Sequence, residues 1–251
     1  MVLNPSQIDA REKQILAGLF LSKFDAEGLN ALGFESFTEA FNALGYGLGG
    51  RAASIKNYRD EFDPLFPNPR QGWRNRKRRG YCIEVEEKYR SLGLADFAAL
   101  VAEFVGESHQ PTPTTKPDTD QSSSFAKRLI TGRAAERYFH SNWRSIPEFA
   151  EYCVEDTTDH GCGYDFRLWP QEGNAFKAVE VKGMAEESGT ISLTEKEYST
   201  AEELQCRFFL FVVKNFRDKP FHELHCNPLA GPLSFKRAER VVVQVSWCTA
   251  A

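Results

Sequence analysis

The sequence predicts an α+β protein, with an all-α, helix-turn-helix-like bundle in residues 1–105 and an α/β mixed sheet flanked by helices in residues 125–251. Three observations carry this. Apolar residues in the first half recur at helical spacing, as Ile8, Ile15, Leu16, Leu19 and Phe20 do in "QIDAREKQILAGLFLSKF". Residues 106–124, "GESHQPTPTTKPDTDQSSS", are rich in Pro, Thr, Ser and Asp and nearly lack large apolar side chains. Such a stretch buries too little surface to offset its ordering entropy, so it reads as a flexible linker. Beyond it, "GYDFRLWPQEGNAFKAVEVKG" reads as a hairpin, and the unbroken apolar run "RFFLFVVKN" suits a strand buried on both faces.

Along the first half, "SFTEAFNALGYGLGG" opens with capping-box spacing, Ser36 to Glu39, and ends in glycines. "RAASIKNYRDEFDPLF" follows, with Ile55, Tyr58 and Phe62 spaced to face a core. A last helix is expected near "CIEVEEKYRSLGLADFAALVAEF". The second and third helices form either a plain αα-hairpin or a helix-turn-helix unit. In the second case Ser54, Lys56, Asn57 and Arg59 would enter a major groove. The stretch "RQGWRNRKRR" favours it. Arg74, Arg76, Lys77, Arg78 and Arg79 supply charge, and Trp73 a stacking surface.

In the second half, "AKRLITGRAAERYFHSNW" is helical, with Leu129, Ala135, Tyr138, Phe139 and Trp143 on a buried face. "SLTEKEYSTAEELQ" offers two capping boxes, Ser192 to Glu195 and Thr194 to Glu197, and "RVVVQVSWC" reads as a late strand. The apolar and charged fractions, 41% and 26%, are those of an ordinary globular chain. No window approaches the ~18 apolar residues of a membrane span, and the first residues lack the pattern of a secretory signal. The expectation is a cytoplasmic protein with no membrane partner. None of the six cysteines sits in a C-x-x-C pair, so free thiols, several of them buried, are expected. His222, His225 and Cys226 in "FHELHC" are the one candidate contribution to a zinc site. The net charge of −4 does not advertise nucleic acid, but a local basic patch in an acidic protein still binds a polyanion.

The chemistry concentrates in "AVEVKG". With the hairpin turn centred between Glu172 and Gly173, Asp165 faces Glu180 across the strand pair, and Lys182 shares their face two residues on. Phe166, Val179 and Val181 then point into the core. Opposed carboxylates repel in a purely structural sheet, and a divalent cation reverses the sign of that interaction. Lys182 would orient or deprotonate an attacking water. The alternative is an ordinary cross-strand salt bridge from Lys182 to either carboxylate.

Asp165 followed by Glu180-Val181-Lys182 resembles the PD-(D/E)XK nuclease superfamily. More narrowly, "GRAAERYF", "GYDFRL", "AVEVKG" and "SLTEKEYSTA", followed by "RFFLFVV", resemble the NO VEIN C-terminal nuclease-like domain, which occurs in bacterial defence proteins among others. Tyr164 stands where the named motif has proline. The resemblance implies a restriction-endonuclease-like sheet, with Asp165 and Glu180 as ligands of Mg2+ (or Mn2+) and Lys182 as the catalytic lysine. It also implies hydrolysis to 5′-phosphate and 3′-hydroxyl ends. Glu136 matches a family acidic position and otherwise is an exposed helical glutamate; Glu197 matches another and otherwise completes a helix cap. "SIKNYRDEFDPLFPNPR" resembles helical modules found beside nuclease domains in restriction-type proteins.

The expectation is therefore a Mg2+-dependent endonuclease of restriction or anti-phage type acting on double-stranded DNA. It would work as a homodimer, with a cognate methyltransferase or another defence protein as a partner. The alternatives are a DNA-binding protein with an inactive nuclease-like domain, and a helix-turn-helix regulator.

Overall fold

The computed structural model describes residues 8–70, 72, 73, 75–106 and 119–239. The expected late strand, Arg74 and most of the expected linker lie outside the described residues.

Five α-helices build the first half. Helix α1 (Ala10–Ala31) starts at Asp9, whose carboxylate accepts from the Glu12 amide at 2.8 Å, and is interrupted at Asp25 (φ 48°, ψ −124°). Helix α2 (Phe37–Gly47) is capped by Ser36, which accepts from the Glu39 amide at 3.2 Å. The reciprocal bond is displaced by one residue, since Glu39 accepts from the Glu35 amide at 3.1 Å. Helix α3 (Ala52–Phe62) buries Ile55, Tyr58 and Phe62 as their spacing requires. Where one last helix was expected there are two, α4 (Gly80–Tyr89) and α5 (Leu94–Gly106). Gly93 separates them, and the carbonyls of Arg90 and Leu92 at the break accept from the Lys23 ammonium at 2.6 and 2.7 Å. These contacts satisfy groups left without partners at the helix end.

Helix α6 (Thr119–Asn142) begins inside the stretch expected to be a linker. It lies between the two halves. Ile130, Ala134, Ala135 and Phe139 are buried in one apolar core that runs from Leu16 and Phe20 of α1 to Phe166, Phe209 and Phe211 of the sheet. Two polar contacts reinforce the junction. Lys127 of α6 pairs at 2.8 Å with Glu39 of α2, which is 1% exposed. The Asn42 amide of α2 donates to the carbonyls of Phe216 and Asp218, both at 2.8 Å.

The second half is a five-stranded mixed sheet in the order β1-β2-β3-β4-β5. Strands β1 (Tyr152–Asp156), β2 (Phe166–Pro170) and β3 (Lys177–Gly183) are antiparallel neighbours. Strands β3 and β4 (Phe208–Lys214) are parallel, and α7 (Glu195–Leu204) makes the crossover such a pair needs. β5 (Phe221–Cys226) pairs antiparallel with β4. β4 is buried from Phe208 to Val213, as a central strand covered on both faces should be. Helix α6 covers one face. On the other, Ala201 and Leu204 of α7 pack with Tyr164, Ala178 and Phe208.

Strand β5 contains the residues considered for zinc. Strand alternation sends His225 to the opposite face from His222 and Cys226. His222 stacks on Phe211 with ring centroids 4.7 Å apart, and His225 lies 3.6 Å from Glu223. Of the five described cysteines only Cys82 is buried, fewer than expected. No helix among the described residues is long and apolar enough to cross a membrane.

Burial holds the His222 pKa below its ordinary value. The folded state therefore prefers the neutral ring, and this contribution is intact above the unfolded pKa of about 6.5 and declines as pH falls below it. His222→Phe, which keeps the ring stack, should lose less stability than wild type between pH 7.5 and pH 5. Urea midpoints at the two pH values measure the difference.

Candidate functional site

The β2–β3 ladder pairs Phe166 with Val179, Arg167 with Ala178 and Leu168 with Lys177. This is the register expected from a turn centred between Glu172 and Gly173. Continued by one residue it sets Asp165 opposite Glu180, and the Asp165 amide donates to the Val179 carbonyl at 3.0 Å. Here the hairpin opens, and the Asp165 carboxylate takes over from the backbone by accepting from the Val181 amide at 2.8 Å.

Two glycines allow the elements to close around this point. Gly163 (φ 86°) turns the chain into Asp165, and a Cβ there would stand 2.4 Å from Thr200 of α7. At Gly183, just after Lys182, a Cβ would meet the Thr131 carbonyl of α6 at 2.6 Å. A side chain at either place would push a helix away from the site. With α6 seated, Glu136 lies near enough to Asp165 to raise its pKa. Glu136 itself is held by Arg133 at 2.5 Å.

Helix α7 supplies the last group. Of the two spacings read from the sequence, Thr194 to Glu197 forms the capping box. The Glu197 carboxylate accepts from the Thr194 amide at 2.9 Å and from Lys182 at 2.8 Å. The cap and the site thus share one carboxylate. Lys182 also pairs with Glu180 at 2.6 Å, two residues back on the same strand, so the salt bridge that forms runs along β3 within a larger cluster and does not cross to Asp165.

The electrostatics follow from burial. Glu180 is 3% exposed. Burial and then Glu136 push the Asp165 carboxyl up to about 7, against the Val181 amide and Lys182, which favour the charged form. Burial and then Asp165 raise Glu180 as well. For Lys182 burial acts to lower the pKa, but Glu180 and Glu197 together outweigh it and leave it raised. Asp165 and Glu180 thus destabilise each other's charge, with one ammonium between Glu180 and Glu197. Among the described residues no three His, Cys, Asp or Glu side chains are arranged to hold a metal ion. Asp165 and Glu180 are two oxygen donors, which fits the Mg2+ mode of one or two carboxylates completed by water and phosphate.

The residues expected to touch DNA divide into two groups. On α3, Lys56 and Asn57 are exposed and Ser54 is half-buried, with Lys56 paired to Asp60 at 2.7 Å. Arg59 departs from expectation. It is 7% exposed, donates to Asp60 at 2.6 Å and lies over the rings of Phe37 and Phe41. Its position one turn before Asp63, with Asp60 adjacent, gave a sequence signal for this. In the arginine-rich stretch, Arg70 binds Asp63 at 2.8 Å and also pairs with Asp25 at the α1 interruption. Asp63 in turn accepts from Ser22 at 2.8 Å. Arg79 binds the fully buried Glu61, and Arg78 lies 3.9 Å from Glu86. Arg76, over the Trp73 ring, and Lys77 are exposed. Arg70 and Arg79 are thus structural, because buried carboxylates need paired cations.

Residues 135–226 match the family model described as Protein NO VEIN, C-terminal. The match spans the end of α6, the whole sheet and α7, and contains every residue of the carboxylate cluster. No curated protein and no solved structure matches the chain.

Asp165→Asn keeps an acceptor for the Val181 amide and removes one of the repelling charges. In metal-free buffer near pH 8 it should melt higher than wild type. Millimolar Mg2+ should raise the wild-type melting temperature and leave that of Asp165→Asn nearly unchanged. A pair of thermal scans for each protein is sufficient.

Proposed function

We propose that this protein is a divalent-cation-dependent DNA endonuclease of restriction or anti-phage type. The observation that supports the reading best is the apposition of half-buried Asp165, just before β2, and buried Glu180 of β3, with Lys182 on the same face. The match of residues 135–226 to the NO VEIN C-terminal family agrees with it.

In this reading Asp165 and Glu180 hold the cation. When bound, Mg2+ supplies Lewis-acid polarisation of a phosphate and a more acidic water. The chain's own residues do the rest. Val181 fixes one oxygen of Asp165 through its amide, leaving the other for a ligand. Glu180 and Glu197 hold the Lys182 ammonium as a donor. An ammonium so held is suited to orienting a water and stabilising negative charge as it develops on the phosphate, which favours orientation over deprotonation. Glu136, tethered to Arg133, adds negative charge beside Asp165. The proposed products are a 5′-phosphate and a 3′-hydroxyl. Cutting both strands needs two centres, which is the argument for a homodimer.

Asp165→Ala, Glu180→Ala and Lys182→Ala should each lower plasmid cleavage in Mg2+ by at least ~100-fold, the scale of losing a key electrostatic contact. Duplex binding in EDTA should be kept. The decisive assay is cleavage of unmodified plasmid and phage DNA, wild type beside Lys182→Ala. If both cut equally, the assignment of this cluster is wrong.

A further inference from the structure

A second feature lies beside the site. The C-terminal half of α5, the first turn of α1 and the C-terminal end of α2 meet α6 in two adjoining cavities of about 160 and 190 Å3. Val105 and Arg133 line both, so the two form one groove. Its charged lining is Lys13, Arg128, Arg133 and Arg137, against the single carboxylate of Glu136. Glu136 is already engaged by Arg133, and Arg128 and Arg137 leave the groove with an excess of positive charge. Arg128 and Arg137 are exposed and have no acidic partner among the described residues. Phe104, with the Lys13 ammonium 5.7 Å from its ring centroid, gives the wall an aromatic surface.

The groove differs from an ordinary solvated face in being concave and in where it ends. Glu136 lines it and also acts on Asp165. Arg128 and Arg137 stand half a turn apart around α6, on the two flanks of the groove with Arg133 between them, and are separated by ~13 Å of axial rise. That is about four steps of a nucleic-acid strand at its axial rise of about 3.4 Å per strand.

We propose that this groove seats the phosphate backbone of a nucleic-acid strand, with Arg128 and Arg137 as the phosphate contacts, and leads the strand past Glu136 to Asp165. The direction of the strand rests on the nuclease reading; the binding does not. Among the described residues, none of α3 or of the arginine-rich stretch lines the groove, so it makes a distinct prediction about which cations matter.

The test is fluorescence anisotropy of a labelled duplex of about 20 base pairs in EDTA, where nothing is cut, over about 50 to 200 mM KCl. Single-stranded DNA and RNA of the same sequence are run alongside. The proteins are wild type, Arg128→Glu with Arg137→Glu, the conservative pair Arg128→Gln with Arg137→Gln, and Arg76→Glu with Lys77→Glu. Arg133 is left alone because it holds Glu136. Melting temperatures establish that each variant folds. The expected result is at least ~10-fold weaker binding for the groove pair and a salt slope smaller by about two, with the glutamine pair intermediate. The probe bound tightest identifies the strand type.

The inference is overturned if both groove pairs bind like wild type, or if wild type binds none of the probes at about 50 mM salt. Cleavage of the same duplex in Mg2+ separates the two readings. A wild type that binds through the groove yet never cuts sinks the nuclease and spares the groove. A folded groove pair that binds and cuts like wild type sinks the groove and spares the nuclease.

Discussion

The fold around the site is organised by an unfavourable contact, a buried carboxylate set opposite a half-buried one at the end of one strand pair. Glu180 is 3% exposed and Asp165 opposes it. Glu136 and Glu197 bring the local count to four carboxylates, and Lys182 and Arg133 are the two cations bound to them. With all groups ionised, two negative charges remain. Burying uncompensated charge costs several kcal/mol, and sheets without a reason to do so avoid it. The compensation lies in the packing beneath, where Phe166, Val179, Phe209 and Phe211 are almost wholly buried. Each such side chain contributes about 1.5–3 kcal/mol by leaving water. The sheet is thus able to carry a charge deficit of the size a divalent cation supplies.

The same reasoning, applied to the helical half, gives the opposite conclusion about its arginines. Asp63 is 1% exposed and Glu61 is fully buried. There the cations come from the chain itself. Arg70 reaches from beyond α3 to Asp63 and to Asp25, closing α1 against α3 at the point where α1 is interrupted. Arg79 returns to Glu61 as α4 begins, through its backbone amide at 2.7 Å and its guanidinium. Removing Arg79 would leave the buried Glu61 charge unpaired, a cost of about 3–5 kcal/mol, whereas without Arg70 the Asp63 carboxylate would keep Arg59 at 3.8 Å. An arginine-rich stretch that looks in sequence like one basic patch is therefore part staple and part surface. Arg76 and Lys77 are its exposed members.

What the sequence made legible follows from which interactions are local. The register of β2 and β3 was readable because a short turn fixes it, and the face assignments followed from alternation. The caps at Ser36 and Thr194 were readable because their partners lie three residues on. The fate of Arg59, Arg70 and Arg79 was less so. Arg59 had Asp60 and Asp63 beside it as a hint, but Arg70 meets Asp25 across 45 residues of chain. Strand β1 was missed because "YCVED" is too short and polar for alternation to show. Strand β5 was not legible because "FHELHC" is polar and only partly buried on both faces, so no apolar alternation marks it. The break between α4 and α5 was signalled by Gly93, but the Lys23 ammonium that satisfies its carbonyls comes from another helix.

Helix α6 bears on how the helical half and the carboxylate cluster are held together. Had residues 106–124 formed a linker throughout, the helical half would sit only loosely relative to the sheet. Residues from 119 onward are instead helix. That helix presents Lys127 to Glu39 of α2, Ala135 to Gly183 of β3, and Glu136 toward Asp165. Asn42 ties α2 to the segment between β4 and β5 from the other side. Displacing α6 from β3 would expose the Phe139 and Phe211 rings, packed edge-to-face at 5.0 Å. Aromatic pairs of this kind add ~1 kcal/mol beyond their burial. In the proposed reading, a phosphate at Arg137 would be held by the same helix that carries Glu136. Placement of that quality is what phosphoryl-transfer chemistry needs from a protein, since positioning and electrostatics supply most of its catalysis.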